Sequence, residues 1–309
     1  MGRLLNAAFA SNTHKTYLTG WKMFCRFLRR PDSVLTPAEP EDVRRFIAWL
    51  SLQSLAASTI NTYVSAVGYY HRIYGWSDPT SDYLVAKLLQ GCRRGRASTD
   101  SRQPVSIPML KTIIRSLLIV SSSSFEARLF KTVFLFAFFG FMRVGEFAAD
   151  SRHSIPASVL LFSDVQICRQ DDTGISVTVS FRHSKNNQCG PPQVIRFVKA
   201  GNVILCPVVA LQEFLEVRPP VSGPLFCHFD GTPLTRYQFN AVLRKVLSFT
   251  DTPEGRVKGH SFRIGAASTA ASMGISVEQI SSMGRWRSPA VTTYMRPVPT
   301  CSFLTTSCI

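Results

Sequence analysis

The chain has 309 residues, 45% hydrophobic, with 35 Lys and Arg against 19 Asp and Glu. That length accommodates two domains of ordinary size, and the apolar content supports a buried core. A formal net charge of +16 argues for a polyanionic partner, with a basic but non-binding surface as the alternative. The eight cysteines show no CxxC pair and no metal-ligand spacing with the six histidines, which excludes a zinc-cluster reading and predicts no metal. With no signal peptide at the N-terminus, reduced thiols in an intracellular protein are expected. The longest apolar run, Val133 to Met142, is too short to span a bilayer.

The first predicted helix covers Ser11 to Arg30. Tyr17, Trp21, Phe24 and Leu28 form its apolar stripe, and Lys15, Lys22, Arg26, Arg29 and Arg30 fall largely off it. A second helix starts near Pro40 (Val43, Phe46, Ile47, Leu50), a third near Ser58 (Ile60, Tyr63, Val64, Val67, Tyr70), and a fourth spans Ser81 to Gln90. Four short amphipathic helices predict a small bundle. From Gly91 to Pro104 the apolar period stops and Gly, Ser and Arg dominate, which predicts an interdomain linker. Its Arg93, Arg94, Arg96 and Arg102 suit either solvent or a phosphate backbone.

A helix follows Ile107-Pro108, and a strongly apolar one runs from Ala127 to Phe141. Val159 to Phe162, Ile175 to Phe181 and Val194 to Phe197 read as three strands, the middle one alternating cleanly. Helices resume near Pro207, Thr235, Ser261, Ser276 and Pro289. The expected fold is therefore mainly α, with one small antiparallel sheet in the second domain.

The candidate chemistry begins with Gly259-His260-Ser261-Phe262-Arg263 and, thirty-one residues after Arg263, Tyr294. Residues three apart share a helix face, so His260 and Arg263 can reach one small anion beside a tyrosine hydroxyl. Alone, the pair is better described as a structural histidine next to a surface arginine. Arg143 emerges just past the most apolar helix, where Glu146 is an available i,i+3 partner. Lys185 sits in a polar turn between two strands, with His183 and Lys199 as rivals for its place. Trp286 lies in Gly284-Arg285-Trp286, eight residues before Tyr294.

In this order Arg143, Lys185, His260-x-x-Arg263, Gly284-Arg285-Trp286 and Tyr294 resemble the tyrosine recombinase, or phage-integrase, family. His260 to Ala267 and Gly284-Arg285-Trp286 are similar to phrases in recombinases of eukaryotic mobile elements of the DIRS and Ngaro kind. The resemblance covers most of the chain. It implies a helical, SAM-like core-binding domain (residues 1–97), a linker (98–104) and a catalytic domain (105–309), clamped around double-stranded DNA. It also implies self-association as a dimer or tetramer on DNA, no cofactor, and a nuclear location if the host is eukaryotic. Tyr294 would attack a backbone phosphate, giving a 3′-phosphotyrosyl link and a free 5′-hydroxyl. Arg143, Lys185, His260, Arg263 and Trp286 would be catalytic, with Glu146 and Arg285 in support. Lys15, Lys22, Arg26, Arg93, Arg94 and Arg96 are the candidate DNA contacts.

The residue chemistry agrees. A phenol of pKa about 10 is only about one part in a thousand ionised at neutral pH, so attack needs proton removal, for which His260 is suited. Arg143 and Arg263 suit the non-bridging oxygens of a phosphorane, and a lysine on a hairpin can protonate the leaving oxygen. Because GRW adds one arginine, either Arg285 or Trp286 could face the phosphate. Pro297 and Pro299 disfavour a continuous helix after Tyr294. The competing readings are a catalytically silent, domesticated DNA-binding protein and a type IB topoisomerase-like relaxing enzyme.

Overall fold

The apolar stripe that begins at Tyr17 folds into helix α1 (Ser11–Phe27), which buries Trp21 and Phe24. The computed structural model describes residues 11–31, 36–95, 100–170, 174–183, 190–250, 252–253 and 255–296. The chain divides into two compact units, residues 1–100 and 101–309.

In the first unit, α1 is joined by α2 (Pro40–Leu52), α3 (Ala57–Ile73) and α4 (Tyr83–Gly95). Val43, Phe46, Ile47 and Leu50 of α2 are all buried, and they meet Phe24, Ile60, Val64, Val67 and Val85 in one core. Each such side chain contributes about 1.5–3 kcal/mol of burial. Gly20 allows α1 to approach α3 closely, since a Cβ there would lie 2.9 Å from Ala66 Cβ. His71, fully buried, donates from Nδ1 to the Val67 carbonyl (2.8 Å) while Nε2 accepts the Ala38 N–H (2.9 Å). That bonding pattern requires the neutral imidazole.

The fourth helix differs from the sequence expectation. It starts two residues later and runs through Gly91-Cys92-Arg93-Arg94-Gly95, which composition alone assigns to the linker. Leu89 and Cys92 pack against the bundle core, and Arg93 donates to Asn61 Oδ1 of α3 at 2.9 Å. Tertiary packing outweighs the cost of about 1 kcal/mol for each helical glycine.

The second unit is organised around α6 (Ser124–Phe139), preceded by α5 (Ile107–Val120) and followed by the single turn α7 (Val144–Phe147). α6 carries Phe130, Val133, Phe134, Leu135 and Phe136 at the centre of the core. Three strands, β1 (Val165–Gln170), β2 (Gly174–Phe181) and β3 (Gln193–Val198), form an antiparallel meander in chain order. The register pairs Val177 with Ile167 and Phe197. β2 alternates, burying Val177, Val179 and Phe181. The expected strand at 159–162 is not one: Val159 and Leu160 are buried in an irregular segment, followed by a 3₁₀ turn at Phe162–Asp164. The first strand lies further on, in a polar stretch (Val-Gln-Ile-Cys-Arg-Gln) whose side chains are largely exposed.

α8 (Pro207–Leu215), α9 (Arg236–Leu247), α10 (Gly259–Ser272) and α11 (Val277–Met283) complete the unit, with a 3₁₀ turn at Pro289–Thr293. Thr235 and Ser276 cap α9 and α11 through capping boxes. Among the described residues no helix is long and apolar enough to cross a membrane.

Candidate active site

Two helix exits and one helix entry build the site. α6 ends in a turn in which the Met142 N–H reaches back to the Ala137 carbonyl and the Phe141 N–H to that of Phe138. This is a Schellman arrangement, with Phe141 in the left-handed region at φ 48°. The turn delivers Arg143 as the N-cap of α7. α11 ends the same way: Trp286 N–H bonds to the Ser281 carbonyl, Arg285 N–H to that of Ser282, and Arg285 sits at φ 56°. That turn sends Arg285 and Trp286 in different directions.

α10 supplies the third side. Phe262 stacks on Phe134 (5.3 Å between centroids) in the core, and its neighbour Arg263 enters the site completely buried. The Arg263 guanidinium donates to the carbonyls of Phe141 and Gly284, one from each helix exit. It thereby satisfies acceptors that helix ends otherwise leave orphaned. Its Cζ lies 3.8 Å from the Trp286 ring and 5.9 Å from the Tyr294 ring, within cation–π range.

Glu146, 2% exposed, is the carboxylate of the site. Its Oε1 accepts from Arg143 Nη1 at 3.0 Å and its Oε2 from Arg285 Nη2 at 2.7 Å, while Oε2 also caps the Arg143 N–H at 2.9 Å. Arg285 additionally donates to the Gly140 carbonyl (3.3 Å) and lies 3.9 Å over the Phe181 ring. Burial, then the charge of Arg143, push the pKa of Arg263 down to about 9, which leaves it cationic at neutral pH. Burial also lowers that of Arg285, with Glu146 pulling the other way. Nε of both Arg263 and Arg285 is buried without a hydrogen-bond acceptor. Among the described residues, three guanidiniums thus cluster around one carboxylate, which pairs with Arg143 and Arg285 only, a local excess of positive charge that suits an anion.

Tyr294 caps the 3₁₀ turn and is half-buried. Its ring centroid lies 5.0 Å from that of His260 and 5.0 Å from that of Trp286, edge-on to both. Trp286 is nearly buried, 6.0 Å from the Phe141 ring. Gly284 is needed beside it: a Cβ there would fall 1.6 Å from the indole.

Of the residues singled out in the sequence, Arg143, Glu146, His260, Arg263, Arg285, Trp286 and Tyr294 come together. Lys185 and Arg96 lie outside the described residues, as do Pro297 and Pro299. Arg285 and Trp286 part at the end of α11: Arg285 turns into the core onto Glu146, and Trp286 stands beside Arg263 and Tyr294. His183 is exposed just after β2, Lys199 just after β3 beside the start of β2, and Tyr237 at the start of α9. Lys15, Lys22 and Arg26 are exposed on α1, and Arg93 and Arg94 at the end of α4. Among the described residues no group of three or more His, Cys, Asp or Glu is arranged to hold a metal. Sequence reasoning missed the backbone carbonyls of Gly140, Phe141 and Gly284, because a carbonyl acceptor has no residue signature.

Residues 4–76 match the family described as phage integrase, N-terminal SAM-like domain. The integrase/recombinase xerD homolog of Selenomonas ruminantium is 23% identical over 284 residues, spanning 87% of this chain and 76% of that protein. Recombinase cre of Escherichia phage P1 is 25% identical over 294 residues, spanning 90% of this chain and 82% of that one. Among solved structures, the XerH site-specific recombinase bound to palindromic difH substrate, a post-cleavage complex, superposes with a TM-score of 0.63. Its identity is 14%, over 91% of this chain and 75% of that one. A lambda integrase dimer bound to a COC′ core site gives 0.61 at 14% identity, over 95% and 74%. The fold is thus a SAM-like helical unit followed by the catalytic fold of DNA recombinases. Residues 4–76 carry the phage integrase N-terminal SAM-like domain, and over most of its length the chain is similar to the xerD and cre recombinases.

Proposed function

We propose that the chain is a site-specific recombinase that cuts and rejoins double-stranded DNA, with Tyr294 as the nucleophile. The observation that carries this reading is the excess of guanidinium charge at half-buried Arg143 and buried Arg263 and Arg285, with Glu146 as the one carboxylate beside them among the described residues, next to a half-buried tyrosine. A scissile phosphate supplies the missing negative charge. Arg263 and Arg143 hold its non-bridging oxygens, and Glu146 with Arg285 holds Arg143 in place. His260, against the Tyr294 ring, takes the phenol proton or orients the phosphate. Trp286 packs between Arg263 and Tyr294 and closes the site to water. Lys185, retained from the sequence pattern, protonates the departing 5′-oxygen.

Attack forms the bond from the tyrosine oxygen to phosphorus and breaks that to the 5′-oxygen, so the diester count is unchanged. Religation therefore needs no nucleotide cofactor. Residues 1–97 serve as the core-binding domain and 105–309 as the catalytic domain, joined at 98–104. Lys15, Lys22, Arg26, Arg93, Arg94 and Arg96 contact the backbone of the duplex, and several protomers assemble on it. The phrases at His260 to Ala267 and at Gly284-Arg285-Trp286 further support an origin in a eukaryotic mobile element, and with it a nuclear site of action.

The test is incubation with a nicked suicide duplex, followed by denaturing electrophoresis. The chain should form a covalent adduct, and Tyr294→Phe should bind DNA equally well and form none. Binding without any adduct in the unmodified chain would leave a silent DNA-binding protein. Relaxation of plasmid without exchange between duplexes would leave the topoisomerase reading.

A further inference from the structure

α10 does more than present His260 and Arg263. Two turns beyond His260 lies Ser268, 1% exposed, in the run Gly265-Ala266-Ala267-Ser268-Thr269-Ala270-Ala271. A serine inside an alanine-rich helix is a poorer helix former than its neighbours, so its hydroxyl calls for another explanation. Its Oγ donates to the Tyr294 carbonyl at 3.0 Å and accepts the Arg296 N–H at 2.9 Å. One hydroxyl thus holds the main chain on both sides of the residue after Tyr294, using its donor and one acceptor position.

From that anchor the Tyr294 side chain runs back along α10, and its ring reaches the His260 ring. A second tether acts on the same segment: the Arg296 guanidinium donates to the Arg102 carbonyl. The strand of chain from Arg102 to Val105 is itself fixed near α10, through Gln103 N–H to the Arg256 carbonyl (2.8 Å) and Val105 N–H to that of Ser261 (3.0 Å). It passes so close to α10 that a Cβ on Gly265 would lie 2.0 Å from the Val105 carbonyl oxygen. The short segment carrying the tyrosine has only a 3₁₀ turn before it, so its orientation depends on these tethers.

We propose that Ser268 is a positioning residue for the nucleophile, fixing the Tyr294 main chain so that the phenol stays in reach of His260 and of a phosphate at Arg263. This rests on the reading of Tyr294 given above. A displacement at the anchor is carried to the hydroxyl at the far end of the side chain, where in-line attack tolerates little error.

The experiment uses the full chain with Ser268→Ala, Ser268→Cys and Ser268→Thr. It measures the single-turnover rate of adduct formation on a nicked duplex at saturating DNA, the DNA affinity, and amide exchange at residues 294–296 without DNA. Ser268→Ala leaves the Arg296 N–H and the Tyr294 carbonyl without their partner. It should slow adduct formation about ten- to a hundredfold, with affinity changed by less than about twofold. Exchange of the Arg296 amide should rise at least about tenfold. Ser268→Thr keeps the hydroxyl and should restore both readouts. Where Ser268→Ala does not fold, the nearly isosteric Ser268→Cys, a weak donor and acceptor, takes its place with the same expected effects. An adduct rate equal to that of the unmodified chain, or a slowed rate with Arg296 exchange unchanged, overturns the role of Ser268. An unmodified chain that forms no adduct at Tyr294 overturns the proposed function itself, so the two failures are distinguishable.

Discussion

Replacing Glu146 by glutamine tests the electrostatic account of the site directly. The carboxylate is 2% exposed and lies between Arg143 (3.0 Å) and Arg285 (2.7 Å). At an effective dielectric of about 20, opposite charges centred about 4 Å apart attract by about 4 kcal/mol. Two such pairs therefore contribute about 8 kcal/mol gross. Glutamine recovers part of this because a neutral amide costs less to bury, and its oxygen still accepts one guanidinium hydrogen bond. Its NH₂ must then face the other guanidinium, donor against donor. The expected net loss is that of breaking a buried ion pair, about 3–5 kcal/mol.

Urea unfolding of the chain, with separate transitions fitted for the two units, measures the loss in the transition of residues 101–309. Saturating duplex DNA should offset a large part of it, because a bound phosphate returns the missing anion to the three guanidiniums. A change below about 1 kcal/mol would mean that solvent already screens these charges. A loss that DNA leaves untouched would mean that the guanidinium cluster is purely structural.

Three further outcomes are expected at the arginines and the lysine, and one at a glycine. Arg143→Ala should slow cleavage at least about a hundredfold at saturating DNA, whereas a change confined to affinity would make Arg143 an ordinary backbone contact. Because Arg263 is fully buried, Arg263→Lys is the cleaner variant there: it keeps the charge but cannot span the Phe141 and Gly284 carbonyls, and single-turnover cleavage should fall by a similar factor. Lys185→Ala should be slow on ordinary DNA and near normal on a strand with a 5′-bridging sulfur, whose thiolate leaves without a proton; equal impairment on both would remove it from the proton-donor role. Gly284→Ala places a methyl group against the indole of Trp286, so it should cost about 1–3 kcal/mol of stability and reduce adduct formation, while unchanged stability would mean that the ring can move aside at no cost.

The helices of the first unit are legible in the sequence because each buries one face at a period near 3.6. The spacing of Val43, Phe46, Ile47 and Leu50 alone puts them on one helix face, and all four are buried. The end of α4 is not legible in this way, since Gly91 and Gly95 look like breakers and the contacts that override them come from α3, distant in sequence. β1 escapes for a related reason. Its residues Gln166 to Arg169 are largely exposed, so it lacks the buried alternation that identifies β2, and only pairing with β2 makes it a strand. Val159 and Leu160 supply the apolar signal of a strand at a place where the chain is buried but irregular.

For the site, the sequence names side chains but not the turns that aim them. Gly140 and Gly284 each stand one position before the left-handed residue, not at it. The residues that accept the positive φ are Phe141 and Arg285, at a strain of order 1 kcal/mol or more each. Tertiary contacts hold them there: Phe141 offers its carbonyl to Arg263, and Arg285 is locked by Glu146 and the Gly140 carbonyl. The spacing of Gly284-Arg285-Trp286 leaves open which residue meets a phosphate, because a helix exit rotates successive side chains by an amount that no linear pattern encodes. The Schellman turn sets that rotation, sending the guanidinium to the only carboxylate beside the arginines among the described residues and leaving the indole to stand against Arg263 and Tyr294. A glycine at 285 would remove the backbone strain, yet it would also strip Glu146 of its shorter ion pair and leave Arg143 to hold that carboxylate alone. The strained arginine thus joins Arg263 in coupling the end of α11 to the end of α6, and with them the two carbonyls on which Arg263 rests.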